Sequence, residues 1–153
     1  LNLGAAWAPG GQQVIYHEMT DPPLVVLRDA NGGLIGNTDR YLFPRFGFSA
    51  AWSPEGEWVA FGGRNAQCPY GLVVARSNLE IVSAASTPGA CDPRYSPDGL
   101  WLAYAGFQTR AGAADGRLDL FIANPSGYNS RNFTSRLKGE VRLLGWVGKA
   151  ASD

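Results

Sequence analysis

Apolar residues in this chain come in short bursts, each bounded by residues that favour turns. Val14-Ile15-Tyr16, Leu24-Val25-Val26-Leu27, Leu72-Val73-Val74-Ala75, Trp101-Leu102-Ala103-Tyr104 and Leu120-Phe121-Ile122-Ala123 are such runs. They are too short for helices, rich in β-branched and aromatic residues, and closed by Gly, Pro, Asn or Ser, so they predict β-strands. Between them one phrase recurs: Ala51-Trp52-Ser53-Pro54-Glu55-Gly56, then Arg94-Tyr95-Ser96-Pro97-Asp98-Gly99, and more weakly Ala6-Trp7-Ala8-Pro9-Gly10-Gly11. Its aromatic residue falls at positions 7, 52 and 95, a spacing of 45 and then 43 residues.

A unit of that length filled with strands has the period of a propeller blade and not of a helical solenoid. In the second unit, 49–52 reads as the inner strand, 54–56 as a turn, and 58–62, 72–75 and 79–83 as three further strands. The third opens on Arg94-Tyr95 and continues through 101–104 and 119–123 to a turn at Asn124-Pro125-Ser126-Gly127 and a polar outer segment, 129–135. The first unit aligns through 14–16 and 24–27, with 29–33 turning into an outer strand. Pro9, Pro54 and Pro97 suit the first corner of each inner turn, where their fixed φ fits; Gly11, Gly56 and Gly99 supply a positive φ or a close backbone approach. The expected fold class is all-β, a β-propeller segment of three four-stranded blades (1–47, 48–90 and 91–139) plus one extra, unpaired inner strand at 140–148. Trp146 there takes the place of Trp52, but Gly148-Lys149 replaces the turn. Such a segment leaves an apolar flank at each end, so the sequence predicts a protein partner or self-association that completes the propeller.

Composition supports this reading and narrows the partners. Of 153 residues, 45% are hydrophobic and 17% charged, with 20 Gly and 10 Pro, the balance of frequent turns joining apolar strands. Thirteen basic residues offset thirteen acidic ones and no basic run stands out, which argues against nucleic acid. No apolar run approaches the ~20 residues that span a bilayer, so no membrane insertion is expected. The chain opens on Leu1 without a charged and apolar leader, as a processed product or an excised fragment would.

The Ser-Pro-Asp-Gly turn after an aromatic strand, followed by an aliphatic strand and then Asp119-Leu-Phe-Ile-Ala-Asn-Pro-Ser-Gly127, resembles the WD-like propeller repeats of the TolB type. Such repeats also occur in propellers fused to prolyl oligopeptidase-type hydrolases. The resemblance is best in residues 94–134 and weakest in the first unit, which lacks the Ser and the acid. It implies a six-bladed, extracytoplasmic interaction platform of which three units are half.

Candidate chemistry is sparse. His17 is the only histidine; it has no His or Cys at ligand spacing and reads as a surface or loop residue, so no metal, cofactor or catalytic residue is expected. Gly47-Phe48-Ser49-Ala50-Ala51 lacks the final Gly of a nucleophile elbow, and Asn132-Phe133-Thr134 is a glycosylation sequon. Cys68 and Cys91 fall in two connections that an up-and-down blade opens on the same face. A disulfide between them would close a loop of 23 residues, contribute about 3 kcal/mol and favour an oxidising compartment, periplasmic, cell-surface or secreted. The same face collects the longest loops and with them Phe43, Arg45, Phe46, Arg64, Tyr70, Arg94 and Arg110, residue types that anchor protein interfaces. The function expected is a non-enzymatic interaction or assembly module; the alternatives are the accessory propeller of a hydrolase, or a propeller that binds a glycan or small ligand.

Overall fold

The computed structural model describes residues 4–39, 48–63, 71–85, 87, 89–110, 113–139 and 141–148. Among the described residues twelve strands form three four-stranded antiparallel sheets, each consecutive in sequence. Blade 1 holds β1 (Ala5–Trp7), β2 (Gln13–Glu18), β3 (Leu24–Asp29) and β4 (Leu34–Thr38). Blade 2 holds β5 (Phe48–Trp52), β6 (Trp58–Gly63), β7 (Leu72–Arg76) and β8 (Ile81–Ala84). Blade 3 holds β9 (Cys91–Tyr95), β10 (Leu102–Arg110), β11 (Ala113–Ala123) and β12 (Arg131–Asn132).

The inner turns repeat atom for atom. Ser53 and Ser96 each receive a backbone bond from the Gly three residues on, and their Oγ atoms each accept the N–H of Trp58 or Trp101 at 3.0 Å. Asp98 strengthens the third turn by accepting the Ser96 hydroxyl at 2.5 Å and the Leu100 N–H at 3.0 Å. These bonds hold its carboxyl below the usual range, the Ser96 bond most of all.

Register aligns the blades residue by residue. Trp7, Val14, Tyr16, Val26 and Arg28 share one face of blade 1 and correspond to Trp52, Val59, Phe61, Val73 and Ala75 in blade 2. In blade 3 the same places belong to Tyr95, Leu102, Tyr104, Phe121 and Ala123. This face, here called leading, packs onto the trailing face of the preceding blade. Phe61, Val59, Val73 and Ala75 meet Ile15, Val25 and Leu27 in one buried cluster. Tyr104, Phe121 and Leu102 meet Ala60, Leu72 and Val74 in another, with the Tyr104 and Phe121 rings stacked at 5.6 Å. Of the residues three beyond the turn Gly, Val59 and Leu102 lie in these seams and are fully buried, while Val14, on a face against which no described blade packs, is half-buried although Val26 on that face is buried. At the rim, Ser83 Oγ donates to the Ser126 carbonyl at 2.5 Å and Tyr128 Oη to the Val82 carbonyl at 2.8 Å, tying blade 3 to blade 2. Blades 1 and 2 meet there through Gly36 against Leu79.

Three local expectations are corrected. The sequence places one of the long loops at 107–116, but β10 runs on to Arg110 and β11 begins at Ala113, pairing Phe107 with Leu118 and Thr109 with Ala114 across an irregularity. Cys91 is not in a connection either. It begins β9, buried, because a bulge with Asp92 at φ 52 lets the inner strand extend back from Tyr95 to pair Cys91 with Ala105. Pro93 is tolerated there because β9 is the edge of its sheet. His17, read as a surface residue, is only 5% exposed: it lies on the trailing face of blade 1, against Phe48 of blade 2.

Candidate interaction surfaces

Two faces lack a neighbouring blade among the described residues. The leading face of blade 1 presents Trp7, 60% exposed, and half-buried Val14 and Tyr16. At the fifth position of this face, where blades 2 and 3 carry Ala75 and Ala123, stands Arg28. Its Nε donates to Tyr16 Oη at 2.9 Å and its Nη1 to the Gly32 carbonyl at 2.9 Å, a polar lid over the outer half of the flank. The Tyr16 hydroxyl holds the guanidinium pKa above its ordinary value.

The trailing face of blade 3 carries Ala103, Ala105, Leu120 and Ile122, the counterparts of Ala60, Gly62, Leu72 and Val74. Segment 141–147 crosses this end without ladder pairing to any described strand. Trp146 Nε1 donates to the Arg94 carbonyl at 3.1 Å. Trp52 Nε1 donates in the same way to the Ala6 carbonyl, at 3.2 Å. Ala6 and Arg94 are equivalent, since each precedes the inner aromatic residue and pairs with the matching residue of the next strand, Ile15 or Ala103. Trp146 therefore stands toward blade 3 as Trp52 stands toward blade 1. Beneath the segment remains a cleft of about 230 Å³, lined by Cys91, Asp92, Ala105 and Leu118 on the blade and by residues 141–144 on the other side.

Of the predicted face residues, Phe43, Arg45, Phe46, Arg64 and Tyr70 lie outside the described residues, as does Cys68. Arg110 pairs with Ala113 near the tip of the long hairpin, and Arg94 is exposed on the inner strand, so the two sit in different settings. Aromatic–arginine pairs do occur, on Trp58 and Trp101, which follow the inner turns. Arg76 sits 4.8 Å over Trp58 and Arg131 5.9 Å over Trp101. These partners come from third and fourth strands, so only register reveals them.

Sequence reading also missed Asp119, fully buried at the start of the aliphatic part of β11. It accepts Arg117 Nη2 at 2.6 Å, Asn132 Nδ2 at 2.9 Å and Thr134 Oγ1 at 2.8 Å. Burial would raise its carboxyl pKa, but the bonds from Asn132, Thr134 and Arg117 outweigh it and hold the carboxyl below its ordinary value. Arg117 also donates to the carbonyls of Leu137 and Thr134, so the cluster staples the outer segment to the sheet.

His17 occupies the place held by Gly62 and Ala105 in the other blades. Its Nε2 has no hydrogen-bond partner among the described residues, and burial lowers its pKa below 6.5. A folded-state value below the unfolded one means that protonation favours unfolding. Stability is then full above the unfolded value of 6.5 and is lost as pH falls through the lower folded one. Thermal melts should show this acid-side loss in the natural chain and a reduced loss in His17→Phe, which keeps a ring beside Phe48. Coinciding pH profiles would reject the assignment.

No family model and no curated protein matches the sequence. Solved structures do match the fold. A protein assigned as TolB from Agrobacterium tumefaciens superposes with TM-score 0.56 at 17% identity, over 84% of this chain and 44% of that one. A eukaryotic initiation factor gives 0.59 at 12%, over 84% and 31%, and a chain of a nidogen/laminin complex 0.53 at 12%, over 85% and 46%. This chain thus spans less than half the length of each. Sheet order, inter-blade packing and these superpositions agree: the chain is a β-propeller segment of three consecutive blades, similar in fold to TolB-like propellers.

Proposed function

We propose that this propeller segment is a non-enzymatic interaction module whose end flanks are covered by further blades, from a protein partner or from a second copy. One observation carries the reading: the leading face of blade 1 repeats, at four of five positions, the apolar chemistry that is buried in both internal seams, yet Trp7 on it is 60% exposed. Burying a face of that kind is the main favourable term in blade packing. Sedimentation of chain 1–153 over a dilution series is expected to show concentration-dependent association. A monodisperse monomer with a cooperative melt at every concentration would refute the reading.

Residence outside the cytoplasm belongs to the same proposal and rests on the TolB-type resemblance and the cysteines. Buried Cys91 is the partner proposed for Cys68. Intact mass after alkylation, with and without prior reduction, is expected to show no label until reductant is added. Two thiols labelled in unreduced, unfolded protein would overturn the pairing.

A further inference from the structure

We propose that each of the two internal seams is keyed at the rim by a pair of residues whose sizes match only within that seam, so that the key specifies which blade packs on which. The inference concerns seams that the chain itself closes and stands apart from the assembly reading above. The turns from third to fourth strand are built alike: Gly32, Leu79 and Gly127 each donate a backbone N–H to the carbonyl three residues before, at 3.0, 2.9 and 2.9 Å. All three stand in the left-handed region, at φ 87, 65 and 85. Glycine occupies that region freely, whereas leucine is strained there. Leu79 is held in it by packing. It is 8% exposed and joins the cluster in which blade 2 meets Ile15, Val25 and Leu27 of blade 1. Its side chain reaches that seam where Gly36 offers no side chain of its own: a Cβ at Gly36 would lie 3.3 Å from the Asn78 carbonyl oxygen and 3.6 Å from Leu79 Cβ.

The seam between blades 2 and 3 reverses the sizes. Gly36 pairs with Leu27 and Ser83 with Val74, and Leu27 and Val74 hold equivalent places because they pair with Ile15 and Ala60, so Ser83 is the counterpart of Gly36. Opposite it stands Gly127, the counterpart of Leu79. A Cβ at Gly127 would collide with Ser83 Oγ and lie 2.9 Å from Val74 Cγ2, so this place has no room for a leucine. Ser83 Oγ instead donates to the Ser126 carbonyl, the counterpart of the Asn78 carbonyl that crowds Gly36. Small against large in one seam and large against small in the other make each crossed pairing defective. Ser83 against a leucine is overpacked, and Gly36 against a glycine leaves a void. A key of this kind discriminates by penalising the wrong neighbour as much as by rewarding the right one.

The test exchanges these residues between the seams of chain 1–153 without changing its composition. Exchanging the turn residues, Leu79→Gly with Gly127→Leu, or the strand residues, Gly36→Ser with Ser83→Gly, mismatches both seams. All four substitutions together match both again, with the keys traded. Thermal melts should show each half-exchange lowering the midpoint by more than about 4 °C, and the fourfold exchange losing clearly less than the two halves added together. Gly127→Ala is a milder probe within one seam, for use if the turn exchange does not fold. It should lower the midpoint less in a Ser83→Gly background than in the natural chain. Half-exchange losses that simply add, a fourfold exchange that fails to fold while a half-exchange folds, or an equal cost of Gly127→Ala in both backgrounds would each overturn the key.

Discussion

Replacing Gly99 by valine should cost about 2 kcal/mol of folding stability and lower the melting temperature by roughly 4–8 °C. Two effects combine at this position. Gly99 sits at φ 71, in the left-handed region that a β-branched residue enters only under strain. A Cβ built there also falls 2.5 Å from Glu55 Oε2, so the flexible end of that side chain, the acid of the neighbouring inner turn, must swing aside, a smaller cost than the backbone strain. Gly56 separates the two effects, because at φ 75 it has only Pro9 Cδ nearby, at 3.9 Å. Gly56→Val should therefore cost less than Gly99→Val, and adding Glu55→Ala to Gly99→Val should recover part of the loss. Asp98→Asn should cost less than either valine. A denaturant melt in which Gly99→Val matches the natural chain would reject this account of the turn.

Asp119→Ala is expected to be more damaging, at about 3 kcal/mol, because it removes the buried acceptor shared by three side-chain donors, leaving Asn132 and Thr134 without it and half-buried Arg117 without its carboxylate. The loss should be local first, with faster amide exchange in β12 and residues 133–137 than in β6 and β7. The natural chain should show a matching acid dependence. Its folded carboxyl titrates below the unfolded value, so this contribution is present above about pH 4 and fades as pH falls through the folded-state value. Unchanged stability in Asp119→Ala, or no change of exchange in β12, would show that the cluster does not hold the outer segment.

What sequence made legible here was local. Pro97 and Gly99 obey backbone rules that act within four residues, and the strand runs 72–75 and 120–123 announce themselves by composition, so blades could be drawn from them. The ends of β10 and β11 read as loop because Gln108, Thr109 and Gly116 carry no strand pattern, while cross-strand pairing of Thr109 with Ala114 makes them strand. Asp119 escaped notice because two of its partners lie 13 and 15 residues away, in an outer segment without apolar periodicity. His17 looked solitary until register set it opposite Val25 and in the place of Gly62 and Ala105. The candidate surfaces were legible as an arithmetic need for more blades. The Trp146 contact with Arg94 depends on tertiary geometry that spacing alone does not supply.

The rim bonds from Ser83 and Tyr128 have a mechanical consequence. They fasten blades 2 and 3 at their outer edges, while Trp52 on Ala6 pins blades 1 and 2 near the axis. In a linear array each unit passes load only to its neighbours. A pull on the outer edge of blade 3 is therefore carried through Ser126 and Tyr128 straight into β8, so that blades 2 and 3 resist it together as one panel.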